Sequence, residues 1–165
     1  MASVRLKGNE IHTSGELPSI GSTAPKFELV KNDLSRVKLS DFSDRLVLNV
    51  FPSLDTGTCA ASVRKFNELA AGMDNTKVLC ISRDLPFAQS RFCGAEGIEN
   101  VVMLSDYVDG SFGEDYGLQF TDGPLAGLNS RSIIILDENK SVIYTEQVAE
   151  TTEEPDYDTA LEALS

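Results

Sequence analysis

The chain has 165 residues, 41% hydrophobic and 24% charged, with 14 basic residues against 26 acidic ones for a net charge of −12. That length fits one domain (residues 1–165) able to bury roughly two thirds of its unfolded surface, and no apolar run approaches the roughly 20 residues of a membrane-spanning helix. The acidity, with no Lys/Arg cluster anywhere, excludes the basic footprint of a nucleic-acid binder and reads most simply as solubility. Residues Met1–Gly8 alternate in polarity and lack the apolar core of an export signal, so a cytoplasmic location is expected. Three cysteines, an odd number, are then expected to be mostly reduced thiols. They form no CxxC pair and the one histidine, His12, is far from them in sequence, so neither a metal site nor a cofactor is expected.

In chain order, Val4–Lys7 and Glu10–Thr13 predict a hairpin about a Gly8-Asn9 turn, an N-terminal extension over residues 1–16. A Gly/Pro/Ser-rich connector leads to Phe27–Val30 and Val37–Leu39, two short strands around the turn Lys31-Asn32-Asp33. The run Leu46–Phe51 is apolar on successive positions, as in a strand buried on both faces. Residues 59–73 place Val63, Phe66, Leu69, Ala70 and Met73 at helical spacing. Val78–Ile81 is a second buried strand; Asp84 as N-cap and Pro86 in the first turn open a helix expected to run to Cys93 and stop at Gly94. Val101–Leu104, a short helix over Ser111–Tyr116, and a hairpin of Ser132–Leu136 with Val142–Tyr144 follow. The last helix spans Pro155–Leu164. Strands alternating with helices imply an α/β fold with a central mixed sheet flanked by helices, its core spanning residues 17–165.

The stretch Pro52-Ser53-Leu54-Asp55-Thr56-Gly57-Thr58-Cys59 joins a buried strand to a helix. It puts Cys59 in the first helical turn, where free backbone N–H groups and the helix dipole favour a negative charge. Such surroundings lower a thiol's pKa and make it a nucleophile. Arg131, at the start of Ser132–Leu136, is the candidate cation for that sulfur, because a central strand could deliver its first side chain there. Cys80 lies mid-strand among aliphatics and reads as an inert packing residue. Cys93, a helix and a strand further along the sheet, is the candidate second thiol. The loop Asp122–Gly127 has no phosphate-binding spacing and reads as a connector, with Phe120 and Leu125 as candidates to line a substrate groove or a dimer contact.

Two segments carry a resemblance. Pro52-x-x-x-Thr56-x-x-Cys59 resembles the peroxiredoxin active-site signature, and Asp55–Asn67 together with Asp84–Gly94 is similar to the atypical two-cysteine peroxiredoxins of bacteria. The resemblance implies a thioredoxin-like fold, homodimerisation, hydroperoxide substrates and thioredoxin as reductant. It carries the peroxidatic role onto Cys59, the resolving role onto Cys93, and a pocket role onto Pro52, Thr56 and Arg131. Two other readings stay open at this point. A disulfide oxidoreductase would need a CxxC pair, and Thr56 stands where its first cysteine would be. A redox sensor would use the same sulfur chemistry without turnover.

Overall fold

A computed structural model describes residues 1–165. The chain opens with β1 (Ser3–Leu6) and β2 (Asn9–His12), a two-stranded antiparallel hairpin in which Leu6 faces Asn9. Its turn is Lys7-Gly8, one residue earlier than expected, and both residues lie at positive φ, 51° and 85°. A two-residue turn of that hand matches the strand twist. The glycine belongs at its second central position, which draws Lys7 into the left-handed region.

Next come β3 (Glu28–Lys31), β4 (Arg36–Lys38), a 3-10 turn at Leu39–Asp41, β5 (Arg45–Val50), α1 (Gly57–Ala70), β6 (Thr76–Ser82) and α2 (Pro86–Glu96). They are followed by β7 (Val102–Ser105), α3 (Ser111–Asp115), β8 (Ser132–Leu136), β9 (Val142–Gln147) and α4 (Tyr157–Glu162). Seven strands form one mixed sheet in the order β4-β3-β7-β6-β5-β8-β9. Strands β5, β6 and β7 run parallel, whereas β8 is antiparallel to β5 and β3 to β7. No helix is long and apolar enough to cross a membrane.

Alternation along the central strands splits the core in two. Leu46, Leu48 and Val50 point to the face covered by Phe27 and by Phe112 and Tyr116 from α3 and its end. Val47 and Phe51, with Ile133 and Ile135, point to the face covered by Val63 and Phe66 of α1 and Ala160 of α4. Helices therefore cover both faces, as the strand–helix alternation implied.

Helices α2 and α4 differ from expectation at their boundaries. Helix α2 passes through Gly94 to Glu96 and ends where Gly97 takes φ 66°, so the second glycine of the pair is the stop. Its N-cap position is Leu85; the Asp84 carboxylate serves the neighbouring loop instead. Helix α4 begins only at Tyr157, because the Asp156 side chain accepts the Thr159 N–H at 3.2 Å and fixes the cap after Pro155.

Topology then positions the site. Helix α1 starts at the carboxyl end of β5, and antiparallel β8 brings its own first residue there, with Val50 opposite Ser132. Ser132 in turn faces Gln147 at the end of β9, so the chain beyond β9 emerges at the same edge.

The hairpin is tied to the Gly-rich loop by His12, whose Nδ1 lies 2.7 Å from Asp122 Oδ2 and whose Nε2 lies 3.1 Å from Glu10. Chiefly the Asp122 hydrogen bond raises His12 above its ordinary 6.5. A raised folded value stabilises fully below pH 6.5, and that contribution is lost as pH rises through it. Urea unfolding across about pH 5 to 8 should show this decline in the wild type and lose that component in His12→Gln.

Candidate active site

Thr56 occupies the N-cap of α1 in an extended conformation, and Cys59 is the third helical residue, with 0% exposure. The backbone N–H groups of Gly57, Thr58 and Cys59 bond to no acceptor within the chain. They form the positive end of a 14-residue helix, directed at the ground around the Cys59 sulfur. The Thr56 hydroxyl donates to the Ser53 carbonyl at 3.0 Å and so keeps its lone pairs free. Thr58 donates to the Thr152 carbonyl at 2.9 Å, which pins the first turn of α1 to the segment after β9.

Arg131 is 2% exposed and enters from the start of β8, as its place in the sequence predicted. Its Nη2 donates to Cys59 Sγ at 3.3 Å. Nη2 and Nε both donate to the Thr151 carbonyl, at 2.9 and 3.2 Å. Nη1 is buried with no partner, as is the Thr151 hydroxyl. No carboxylate lies within ion-pairing distance of this guanidinium. A buried cation without a counter-ion is costly. The groups in contact with it are the neutral Thr151 carbonyl and the Cys59 sulfur.

Beside these groups lies a cavity of about 410 Å3. Pro52, Thr56, Gly57, Thr58 and Arg131 line one side, and Thr151, Thr152, Leu125 and the hairpin residues Leu6 and Lys7 line the other. Phe120 is not among them; it packs under the hairpin with Val4 and Ile11, so of the two loop candidates only Leu125 reaches the cavity. Behind Pro52, Asp84 fixes the loop into α1. Its carboxylate accepts from Ser53 Oγ (2.7 Å), the Leu54 N–H (2.8 Å) and Ser82 Oγ (2.6 Å).

The three cysteines are free thiols in very different places. Cys80 on β6 is wholly buried, and burial pushes its thiol up to about 12. Such a group is inert at neutral pH. Cys93 is half-buried in α2; burial raises its thiol as well, while Asn32 Nδ2 stands 4.0 Å away. The Cys93 carbonyl anchors the end of α2 by accepting the N–H groups of Gly97 and Ile98. Only Pro86 and Gln89 of α2 are fully buried, and Phe92 packs half-buried against the core, so few buried side chains dock this helix to the sheet. Gly94, inside its last turns, weakens it.

Of the residues singled out from sequence, Pro52, Thr56 and Arg131 thus line one cavity and Cys59 is buried in contact with Arg131, whereas Cys93 sits in the neighbouring helix. Sequence reasoning missed Leu6, Lys7, Glu150, Thr151 and Thr152. The Thr151–Glu154 stretch reads as plain polar loop, and only the β8–β9 hairpin, whose ends must meet the carboxyl edge of β5, hints at its place. No cluster of three or more His, Cys, Asp or Glu side chains is placed to hold a metal ion.

A single buried thiol at a helix start, faced by an uncompensated arginine on a mixed α/β sheet, defines a thiol-based redox enzyme of the thioredoxin-like fold. Comparison with known proteins narrows the class. The family described as Redoxin matches residues 19–161. The thiol peroxidase of Corynebacterium glutamicum is 56% identical over 166 residues, covering 100% of both chains. That of Mycobacterium bovis is 53% identical over 165 residues, covering 99% of both. Among solved structures, a peroxiredoxin-like protein from Aquifex aeolicus superposes with a TM-score of 0.94 at 36% identity, covering 99% of this chain and 96% of that one. The chain belongs to the redoxin family and, within it, to the thiol peroxidases.

Gly94 is the residue through which α2 can be tuned, because a Cβ there would meet nothing within 4 Å. Gly94→Ala should stabilise the helix by ~0.5–1 kcal/mol and slow amide exchange over its last turn by up to about fivefold, read by hydrogen–deuterium exchange.

Proposed function

We propose that this enzyme reduces hydrogen peroxide and organic hydroperoxides at Cys59, that Cys93 resolves the product as an intrachain disulfide, and that a thioredoxin-type dithiol restores both thiols. The observation that carries the reading is the Arg131 guanidinium, buried without a carboxylate and donating to Cys59 Sγ at 3.3 Å. The rival oxidoreductase reading lacks its CxxC pair. The sensor reading has no observation in its favour.

In the first step the Cys59 thiolate attacks one peroxide oxygen; the S–O bond forms as the O–O bond breaks. Charge moves to the leaving oxygen, where a donor already in place is most effective. Arg131 Nη1 and the free N–H groups of the first turn of α1 are such donors. The lone pairs of Thr56 are free to accept a hydrogen bond from the hydroperoxide O–H, which stays on the attacked oxygen, and buried Pro52 shields the sulfur from water. The leaving alkoxide or hydroxide takes up a proton, and Cys59 becomes a sulfenic acid. Cys93 sulfur then attacks Cys59 sulfur; the S–S bond forms and water leaves. Because Cys93 lies within α2, the last turns of that helix must open first, and its shallow burial and the interior Gly94 favour that opening. Thiol–disulfide exchange with the external dithiol completes the cycle.

A homodimer is part of the same proposal. Leu85 and Phe87 are 51% and 66% exposed, and Tyr107 and Val108 are exposed as well. All four follow the carboxyl ends of neighbouring strands β6 and β7, near the loop that Asp84 fixes. A cytoplasmic or similarly reducing compartment fits the free thiols. The chain acts as one catalytic unit, with residues 1–16 as its hairpin extension.

The test is turnover with thioredoxin, thioredoxin reductase and a hydroperoxide. Cys59→Ser should abolish consumption, and Cys93→Ser should stop after one turnover with a sulfenic acid trappable by dimedone. Cys80→Ser should turn over as the wild type does. Mass spectrometry of the oxidised protein should find Cys59 linked to Cys93; a Cys59–Cys80 link would overturn the assignment.

A further inference from the structure

We propose that Glu150 is a positioning residue for the Cys59 site, acting through the segment that carries Thr151 and Thr152. This rests on the reading of Cys59 as the reacting thiol. The Glu150 carboxylate accepts four hydrogen bonds, all from neutral donors. Oε1 accepts the Gly8 N–H at 2.8 Å; Oε2 accepts the Lys7 N–H, the Thr152 N–H and the Thr152 hydroxyl, each at 3.1 Å. No Lys or Arg lies within ion-pairing distance of Glu150. The Thr152 and Gly8 N–H groups are the chief reasons its carboxyl is held down at about 2, so it is ionised throughout the working range.

What this carboxylate joins is the site itself. On one side stands the β1–β2 turn, whose Leu6 and Lys7 wall the cavity. On the other stands the turn after β9, whose two carbonyls hold the reacting groups. The Thr151 carbonyl receives both Arg131 donors, and the Thr152 carbonyl receives the Thr58 hydroxyl from the first turn of α1. β1 also pairs with this segment, Arg5 N donating to the Ala149 carbonyl and Thr151 N to the Arg5 carbonyl, each at 2.7 Å. Arg131 has no carboxylate of its own, so its place beside the sulfur depends on where the Thr151 carbonyl is held. Glu150 fixes that carbonyl from one residue away without touching the cavity's reacting atoms.

The substitution that isolates this role is Glu150→Gln, which keeps size and shape. A carboxamide can satisfy the donors on one oxygen but turns its own N–H2 toward an N–H on the other side, and it loses the charge. Hydrogen bonds to charged groups are strong enough that the loss should be readable as about a tenfold or greater fall in kcat/KM for hydroperoxide. The pH profile of iodoacetamide alkylation at Cys59 should move to higher pH in the same variant, because Arg131 is no longer held on the sulfur. A purely structural contact would lower thermal stability and leave that profile in place. Thr152→Val, which deletes one of the four bonds, should give a smaller shift of the same sign, and it serves as the test if Glu150→Gln does not fold. A folded Glu150→Gln enzyme with wild-type kcat/KM and alkylation profile would overturn the proposal. A wild-type protein that consumes no hydroperoxide would instead overturn the reading on which it rests.

Discussion

A guanidinium buried against a sulfur, with no carboxylate in reach, is the contact around which the site is built. Arg131 is 2% exposed and Cys59 wholly buried, and the chain supplies the cation only a neutral carbonyl, that of Thr151, and the sulfur itself. Burying a charge this way is expensive unless a counter-charge meets it, and removing one member of a buried pair typically costs ~3–5 kcal/mol. The fold therefore gives one thiol out of three a cation and a helix start as neighbours. The same burial that keeps the cation effective penalises the charged form of Cys80, which has no cation. Two cysteines buried to the same extent thus have opposite surroundings: only Cys59 meets an arginine and a helix start.

Sheet topology explains how so few residues suffice. Antiparallel β8 beside β5 puts the residue before Ser132 next to the residue after Val50, so an arginine is delivered beside the loop that leads into α1. The end of β9 emerges at the same edge and supplies the carbonyls of Thr151 and Thr152. The rigid side of the site is the Arg131–Thr151–Glu150 wall together with the Asp84-fixed loop. On the other side stands α2, of which only Pro86 and Gln89 are fully buried. The two successive sulfur reactions proposed for this chain call for a second thiol that can move toward the first.

Much of this was legible in the sequence. The apolar runs Leu46–Val50 and Ser132–Leu136 gave the buried strands, and the turn from β5 into α1 gave Cys59 its helix start. Arg131 is a candidate from its place at the start of a buried strand, and the contact itself depends on β8 lying beside β5. What stayed hidden is contact between segments far apart in the chain. Nothing local distinguishes Glu150 from the acidic residues near it, or the Thr151 and Thr152 carbonyls from any others, because their roles lie in backbone atoms and in a hairpin some 140 residues away. Gly94 was mistaken for a helix stop because glycine in a helix and glycine after it look alike in sequence; only the φ of 66° at Gly97 tells them apart. Phe120 looked like a groove residue because it stands in a loop, yet the N-terminal hairpin covers it.

The most direct measurement compares the rate at which iodoacetamide alkylates Cys59 at neutral pH in two proteins that share Cys93→Ser, one with Arg131 and one with Arg131→Met. If the arginine holds the sulfur ionised, the methionine protein should react at least about tenfold more slowly and regain speed only as pH approaches the range of an ordinary thiol, about 8.5. Equal rates in the two proteins across that range would contradict the account.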